Sequence, residues 1–223
     1  MSNHLNKSFF LIFILSALLF SGCTVSVPMD CTYKGQIAPN EAVSHGYVVT
    51  ETTVLNKEGE PIKTYQENVE SALKDALEKH NIPTKQRPGL QTYSLRTEIQ
   101  VLPDADLWKY EPCLAKNLGM AIIPVANCFT PRYYTVSTGF DVDFQLYQGE
   151  NLIIHDHHTM KDERQVKVSQ LHRDKESMAA AVKLWEENRD KAIEGFFENL
   201  QAKFPPRSAS ANGIFPVTTQ GTP

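Results

Sequence analysis

Tyr133-Tyr134-Thr135-Val136-Ser137-Thr138-Gly139-Phe140-Asp141-Val142-Asp143-Phe144-Gln145-Leu146-Tyr147 is the most regular stretch of the 223-residue chain. Tyr134, Val136, Phe140, Val142, Phe144 and Leu146 share one parity, while Asp141, Asp143 and Gln145 take the other. Side chains alternate across a strand with period two, so this pattern predicts a strand with one buried face and one wet face. Gly149 marks a hairpin turn, and Leu152-Ile153-Ile154 begins a return strand running to about residue 168. A sheet that is apolar on one side only needs another layer to cover that side.

Two helices can supply the cover. Val69, Ala72, Leu73, Ala76 and Leu77 recur at helical spacing over residues 66–80, with Glu67, Glu70, Lys74, Asp75 and Glu78 opposite; Asn81 and Pro83 end the run. Its polar face is mixed in sign, which argues for core packing rather than a lipid surface. A longer helix is expected over 175–203, with Met178, Val182, Trp185, Ile193, Phe196, Phe197 and Leu200 as its stripe and Pro205-Pro206 as its stop. Tyr47-Val48-Val49-Thr50 and Thr52-Thr53-Val54-Leu55 place a strand near 43–55. Tyr93, Leu95, Ile99 and Val101 alternate with polar neighbours and predict another at 92–102. The fold class is therefore α+β: a small, mostly antiparallel sheet with two helices packed on one face, in the order β-α-β-(long loop)-β-β-α.

The long loop, residues 103–131, is rich in large apolar residues: Trp108, Tyr110, Leu114, Leu118, Met120, Ile122, Ile123 and Val125. Pro112, Gly119, Pro124 and Pro131 rule out a long helix or an interior strand there. It reads either as a flap over one end of the core or as an apolar surface that docks on a partner or dips into a membrane. Trp108, Tyr110, Met120, Ile122 and Ile123 are its candidate contact residues.

The sharpest polar cluster is His155-Asp156-His157-His158. If Tyr147 pairs with Leu152, Asp141 falls opposite His158 and Asp143 opposite Asp156, gathering three carboxylates and an imidazole on one face. Such a set suits a divalent metal; cross-strand Asp–His pairs on a solvated face are the plainer reading. A one-residue slip reverses every side chain, and Leu152-Ile153-Ile154 is apolar on both parities. A pH-sensing role for His157 and His158 is a further reading, because an unperturbed imidazole changes charge near neutral pH. The chain has no G-x-S-x-G elbow, G-x-G-x-x-G, P-loop or H-E-x-x-H. No enzyme, metal or other cofactor is assigned.

The N-terminus sets the location. Lys7 is the only charged residue of the first 22, and an apolar run from Phe9 to Phe20 follows. That run is short of the roughly 20 residues of a spanning helix and has the form of an export signal. It ends in Leu19-Phe20-Ser21-Gly22-Cys23, which resembles the lipobox of bacterial lipoproteins, with Phe20 where Leu is usual. The resemblance implies cleavage before Cys23, a thioether-linked diacylglycerol on its sulfur and a third acyl chain, such as palmitate, on its amine. Thr24 stands where family members kept in the inner membrane often have Asp, which implies the outer membrane, facing the periplasm. Three acyl chains on one residue give a nearly permanent membrane anchor.

Domain organisation follows: 1–22 signal peptide, 23–41 lipidated tether, 42–204 a single α+β domain, 205–223 a Ser-, Thr-, Gly- and Pro-rich disordered tail. Without Lys7 the formal net charge moves from −4 to −5, and no basic stripe argues for nucleic acid. With Cys23 lipidated, Cys31, Cys113 and Cys128 remain; Cys113 with Cys128 is the expected pair in an oxidising periplasm, closing one 16-residue loop and contributing about 3 kcal/mol. Zinc is the weaker alternative, because no CxxC accompanies them. The element order also resembles that of small periplasmic lipoprotein domains, among them the lipopolysaccharide-assembly lipoproteins and the N-terminal domain of TolB-like proteins. The expected function is a non-enzymatic accessory or scaffolding subunit of an envelope complex, with an envelope protein as partner. The alternative is a carrier or sensor of a lipid or other apolar ligand, held between sheet and flap.

Overall fold

The computed structural model describes residues 27–35, 46–85, 91–118, 131–169 and 172–203. Its elements run β1 (Gly46–Leu55), α1 (Lys63–Lys79), β2 (Gln91–Val101), β3 (Lys109–Pro112), α2 (Leu114–Leu118), β4 (Arg132–Gln148), β5 (Asn151–Val168) and α3 (Arg173–Lys203). The α+β class, the strand parities and the two covering helices are as the periodicity requires. The tail at 205–223 and the signal peptide lie outside the described residues.

Strand β4 is the spine of the sheet. One edge pairs with β5 along its whole length. The other edge is shared: Phe140–Tyr147 pair with β2 and Tyr134–Ser137 with β3, both antiparallel. β1 adds to β2 in parallel through the α1 crossover, so the five-stranded sheet is mixed but mostly antiparallel. The 103–131 segment is thus not wholly irregular. Its Lys109–Pro112 stretch fills the edge that β2 leaves open, and a short helix follows. Period-two reasoning missed β3 because four residues are too few to show alternation, and its burial does not alternate.

The switch of partner on β4 happens at Thr138 and Gly139. The turn after β2 crosses the strand there: Leu102 N–H donates to the Gly139 carbonyl at 3.2 Å, Gly139 N–H to the Asp106 carbonyl at 3.0 Å, and the Thr138 hydroxyl to the Leu107 carbonyl. A Cβ on Gly139 would lie 2.2 Å from the Ala105 Cβ, so only glycine lets the turn close on the strand.

Phe140, Val142, Phe144 and Leu146 meet Leu95, Ile99, Val48 and Val54 on one sheet face, under α1 and α3. Phe144 stacks on Phe196 of α3 with centroids 4.8 Å apart. Burying such an aromatic contributes about 2–3 kcal/mol. Helix α1 ends as Asn81 and Pro83 foretell: Asn81 takes φ 58°, and Ile82 N–H closes back on the Leu77 carbonyl at 2.9 Å. His80, beside that cap, is 1% exposed and stacks on Phe197 at 3.9 Å; burial lowers its pKa to about 4.

Two outcomes follow. Gly139→Ala destabilises by about 1–3 kcal/mol, because the turn or the strand must move; urea unfolding measures it. For His80, the unfolded chain binds the proton from about pH 6.5 downward and the folded chain resists until about pH 4. Stability is therefore intact above pH 6.5 and falls across 6.5 to 4, by about 3 kcal/mol from this residue. Denaturation of His80→Phe in the same window shows a correspondingly flatter pH slope.

Candidate functional site

Residues 27–35 belong to the stretch read as a tether, yet they lie along the helix layer. Tyr33 is fully buried within the core and Met29 packs against it. No strand ladder holds this strap; side chains from both helices do. Tyr33 N–H donates to Asp75 Oδ2 of α1 at 2.9 Å and Lys34 N–H to Asp190 Oδ2 of α3 at 3.0 Å. Asp30 N–H donates to Glu186 Oε1 at 2.5 Å, and Asn68 Nδ2 donates to the Asp30 carbonyl at 3.0 Å. The Lys79 ammonium reaches the Tyr33 carbonyl and lies 5.3 Å over its ring. The Tyr33 ring folds back over Gly35, where a Cβ would sit 1.9 Å from the Tyr33 hydroxyl.

Arg189 is the centre of the grip. It is 1% exposed, in the middle of α3. Its Nη1 donates to the Asp30 carbonyl at 3.0 Å and to Asn68 Oδ1 at 2.5 Å. Its Nη2 donates to the Thr32 carbonyl at 3.2 Å, while Nε and Nη2 both reach Asp190 Oδ1, at 2.9 and 2.7 Å. The guanidinium plane also lies 5.4 Å from the Trp185 ring centre. A buried charge is tolerated only when matched this fully. Charges around the strap respond to it: the Lys34 ammonium and the Thr32 hydroxyl hold the Asp30 carboxyl far below the carboxylate range, and burial raises that of Glu186. Sequence periodicity passed over Arg189, although the signal exists. It occupies the one gap in the stripe, four residues after Trp185 and four before Ile193.

Of the expected contact residues, Trp108 and Tyr110 are half-buried. They pack on Val136, Ala181 and Leu184 between β4 and α3, and the Trp108 indole N–H donates to the Tyr65 hydroxyl. Trp108 and Tyr110 thus face the core, whereas Leu114, in the same segment, is exposed. Met120, Ile122, Ile123 and Cys128 lie outside the described residues, as does Cys23. Cys31 is exposed and Cys113 half-buried, both as free thiols, and no disulfide forms among the described residues.

The hairpin corrects the expected polar cluster. Tyr147 does pair with Leu152, but the register shifts at Leu146/Tyr147, so Leu146 faces Ile154 and Ile153 is the extra residue. The bulge sends Ile154 into the core at 6% exposure. From there on, every residue of β5 changes face relative to the unbulged register. Asp143 falls opposite His157 and Asp141 opposite Thr159, on the open face; Asp143 Oδ1 bonds His155 Nε2 at 3.0 Å and His157 Nδ1 at 3.1 Å. Asp156 and His158 turn to the covered face, where they bond each other at 2.7 Å and Asn199 Nδ2 donates to Asp156 at 2.9 Å. Gly195 makes room for the His158 ring. The set of three carboxylates and an imidazole on one face is therefore split across the sheet. Among the described residues, no group of three or more His, Cys, Asp or Glu is placed to hold a metal ion, and no helix is long and apolar enough to cross a membrane.

No protein-family model and no curated protein matches the chain. Among solved structures it is similar to a neuraminyllactose-binding hemagglutinin homolog from Helicobacter pylori, at 15% identity over 80% of this chain and 94% of that one, with TM-score 0.42. It is also similar to a minor lipoprotein from Acinetobacter baumannii (16% identity, 71% and 94% covered, TM-score 0.35). A third is rare lipoprotein B from Shewanella oneidensis (10% identity, 68% and 96% covered, TM-score 0.35). Two of the three are bacterial lipoproteins by name, and likenesses of this size assign no function to the chain.

Arg189→Met removes the guanidinium donor from Asp190 Oδ1, Asn68 Oδ1 and the Asp30 and Thr32 carbonyls and leaves the Asp190 charge without its counter-ion in the core. It destabilises the domain by about 3 kcal/mol, read as a lower urea midpoint. Lys183→Met, on an exposed part of the same helix, leaves the midpoint unchanged.

Proposed function

We propose that this chain is a lipid-anchored lipoprotein of the outer membrane, facing the periplasm, and that it serves as a non-enzymatic accessory or scaffolding subunit of an envelope complex. The observation that carries the reading is the order of three features: a short apolar leader, Leu19-Phe20-Ser21-Gly22-Cys23 at its end, and a strap docked on the domain from Met29. An acylated Cys23 would connect to the folded domain through only the five residues Thr24 to Pro28. The scaffolding role is supported by the kind of surface the domain offers. The open sheet face carries Glu51, Arg96, Glu98, Asp143, His155 and His157, with an ion pair between Arg96 and Glu51 and hydrogen bonds between Asp143 and both histidines. Polar, mixed-charge surfaces of this kind give orientation and selectivity in protein contacts more than they give chemistry.

Mass spectrometry of the protein purified from membranes tests the anchor. The mature chain begins at Cys23 with the added mass of diacylglycerol and one further acyl chain, and it sediments with outer membranes. Cys23→Ala abolishes the acyl mass and the outer-membrane fractionation. An unmodified Cys23 in the native protein refutes the anchor. Crosslinking in intact cells then tests the scaffold role: a stoichiometric envelope protein recovered with the native chain is the expected result, and recovery of the protein alone counts against it.

A further inference from the structure

We infer that the docked strap makes the lipid anchor an orienting device: it holds the helix layer against the membrane surface and turns the open sheet face into the aqueous compartment. The inference rests on the proposed acylation of Cys23.

The argument is one of reach. Met29 packs on the core and Asp30 is fixed at both its N–H and its carbonyl, so the chain is held from Met29 onward. Six Cα–Cα steps lead from Cys23 to Met29, and a fully extended chain covers at most about 3.6 Å per residue, or about 22 Å in all. That is about the combined depth of one helix, about 10–12 Å, and the sheet about 10 Å beneath it, before any lateral path around the edge of the domain is added. The strap lies on the helix side of the domain, held by Asn68 and Asp75 of α1 and by Glu186, Arg189 and Asp190 of α3. The open sheet face, with Glu98, Asp143 and His157, is on the far side of both the helix layer and the sheet. A Cys23 whose acyl chains sit in the bilayer therefore brings the helix layer to the headgroups and leaves the sheet face outermost.

The occupant of the helix side is a lipid surface, and its chemistry agrees with a position beside headgroups rather than within the hydrocarbon. Lys34, Lys74, Lys79, Glu67 and Glu78 are exposed there, so the layer is polar and mixed in sign. Attraction from anionic lipid adds little to such a face. The covalent anchor and its short leash set the orientation.

The test uses the full lipidated chain in vesicles of phosphatidylethanolamine and phosphatidylglycerol that contain a headgroup spin-labelled phospholipid. A fluorescent amino acid is placed at Lys74 on α1 or at Glu98 on the open sheet face, both exposed. The inference predicts quenching several-fold stronger at position 74 than at 98. A flexible Gly-Ser spacer of about ten residues, inserted between Val25 and Ser26, leaves the strap docked but frees the domain from the surface, and brings the ratio toward one. Equal quenching in the unaltered chain overturns the inference, as does a ratio that the spacer does not change. The mass of the vesicle-bound protein separates the two claims. If Cys23 carries no lipid, the anchor reading itself fails; if it is acylated and the two positions are quenched alike, only the orientation fails.

Discussion

A guanidinium placed at 1% exposure must find an acceptor for nearly every donor, and the way Arg189 does so ties the molecule together. Asp190 neutralises it within α3, Asn68 brings in α1, and the carbonyls of Asp30 and Thr32 bring in a segment nearly 160 residues earlier in the chain. Three separate pieces of chain thus depend on one buried charge. The same demand explains why an irregular strap can be held at all. A peptide without a ladder must satisfy its N–H and C=O groups elsewhere, and Asp75, Asp190, Glu186, Asn68, Lys79 and Arg189 do this one by one.

Beneath that clasp the architecture follows from β4. A 17-residue strand with one apolar face is too long for a single short partner on its second edge. β2 takes the C-terminal half and β3 the N-terminal half, with a turn crossing at Gly139 between them. The apolar face needs about two helices' width of cover. α1 covers the β1 side and α3 covers β3, β4 and β5, and the aromatic core forms where Trp185, Phe196 and Phe197 of α3 meet Phe140 and Phe144 of β4.

What could be read from the sequence depended on whether the signal was local. Strands β2 and β4 and helices α1 and α3 were legible because each buries one face over many residues, so periodicity carries the information; β1 was marked by its run of strand formers and β5 by the turn at Gly149 and the apolar Leu152-Ile153-Ile154. The bulge at Ile153 was not legible: Leu152-Ile153-Ile154 is apolar on both parities, and only the packing of Ile154 into the core decides the register. That single residue put His155 and His157, rather than Asp156 and His158, on the face of Asp141 and Asp143. β3 was hidden by its length. The strap was hidden because its contacts are almost all distant in sequence and fall on side chains, so nothing periodic marks it. The grip could have been suspected only from Arg189, set in an otherwise apolar stripe. The lipid site is the reverse case. Leu19-Phe20-Ser21-Gly22-Cys23 is a purely local signal, and the structure contributes what the motif lacks, namely where the chain is seized after it.

The account turns on the strap being a fixed part of the domain rather than a flexible leash. Native-state hydrogen exchange at the Tyr33 and Lys34 amides tests that most directly, since each donates to one helix carboxylate and to nothing in a ladder. The account predicts that both exchange as slowly as amides in the core turns of α3 and lose protection together with them. Exchange at the rate of an unstructured peptide, while α3 stays protected, would contradict it.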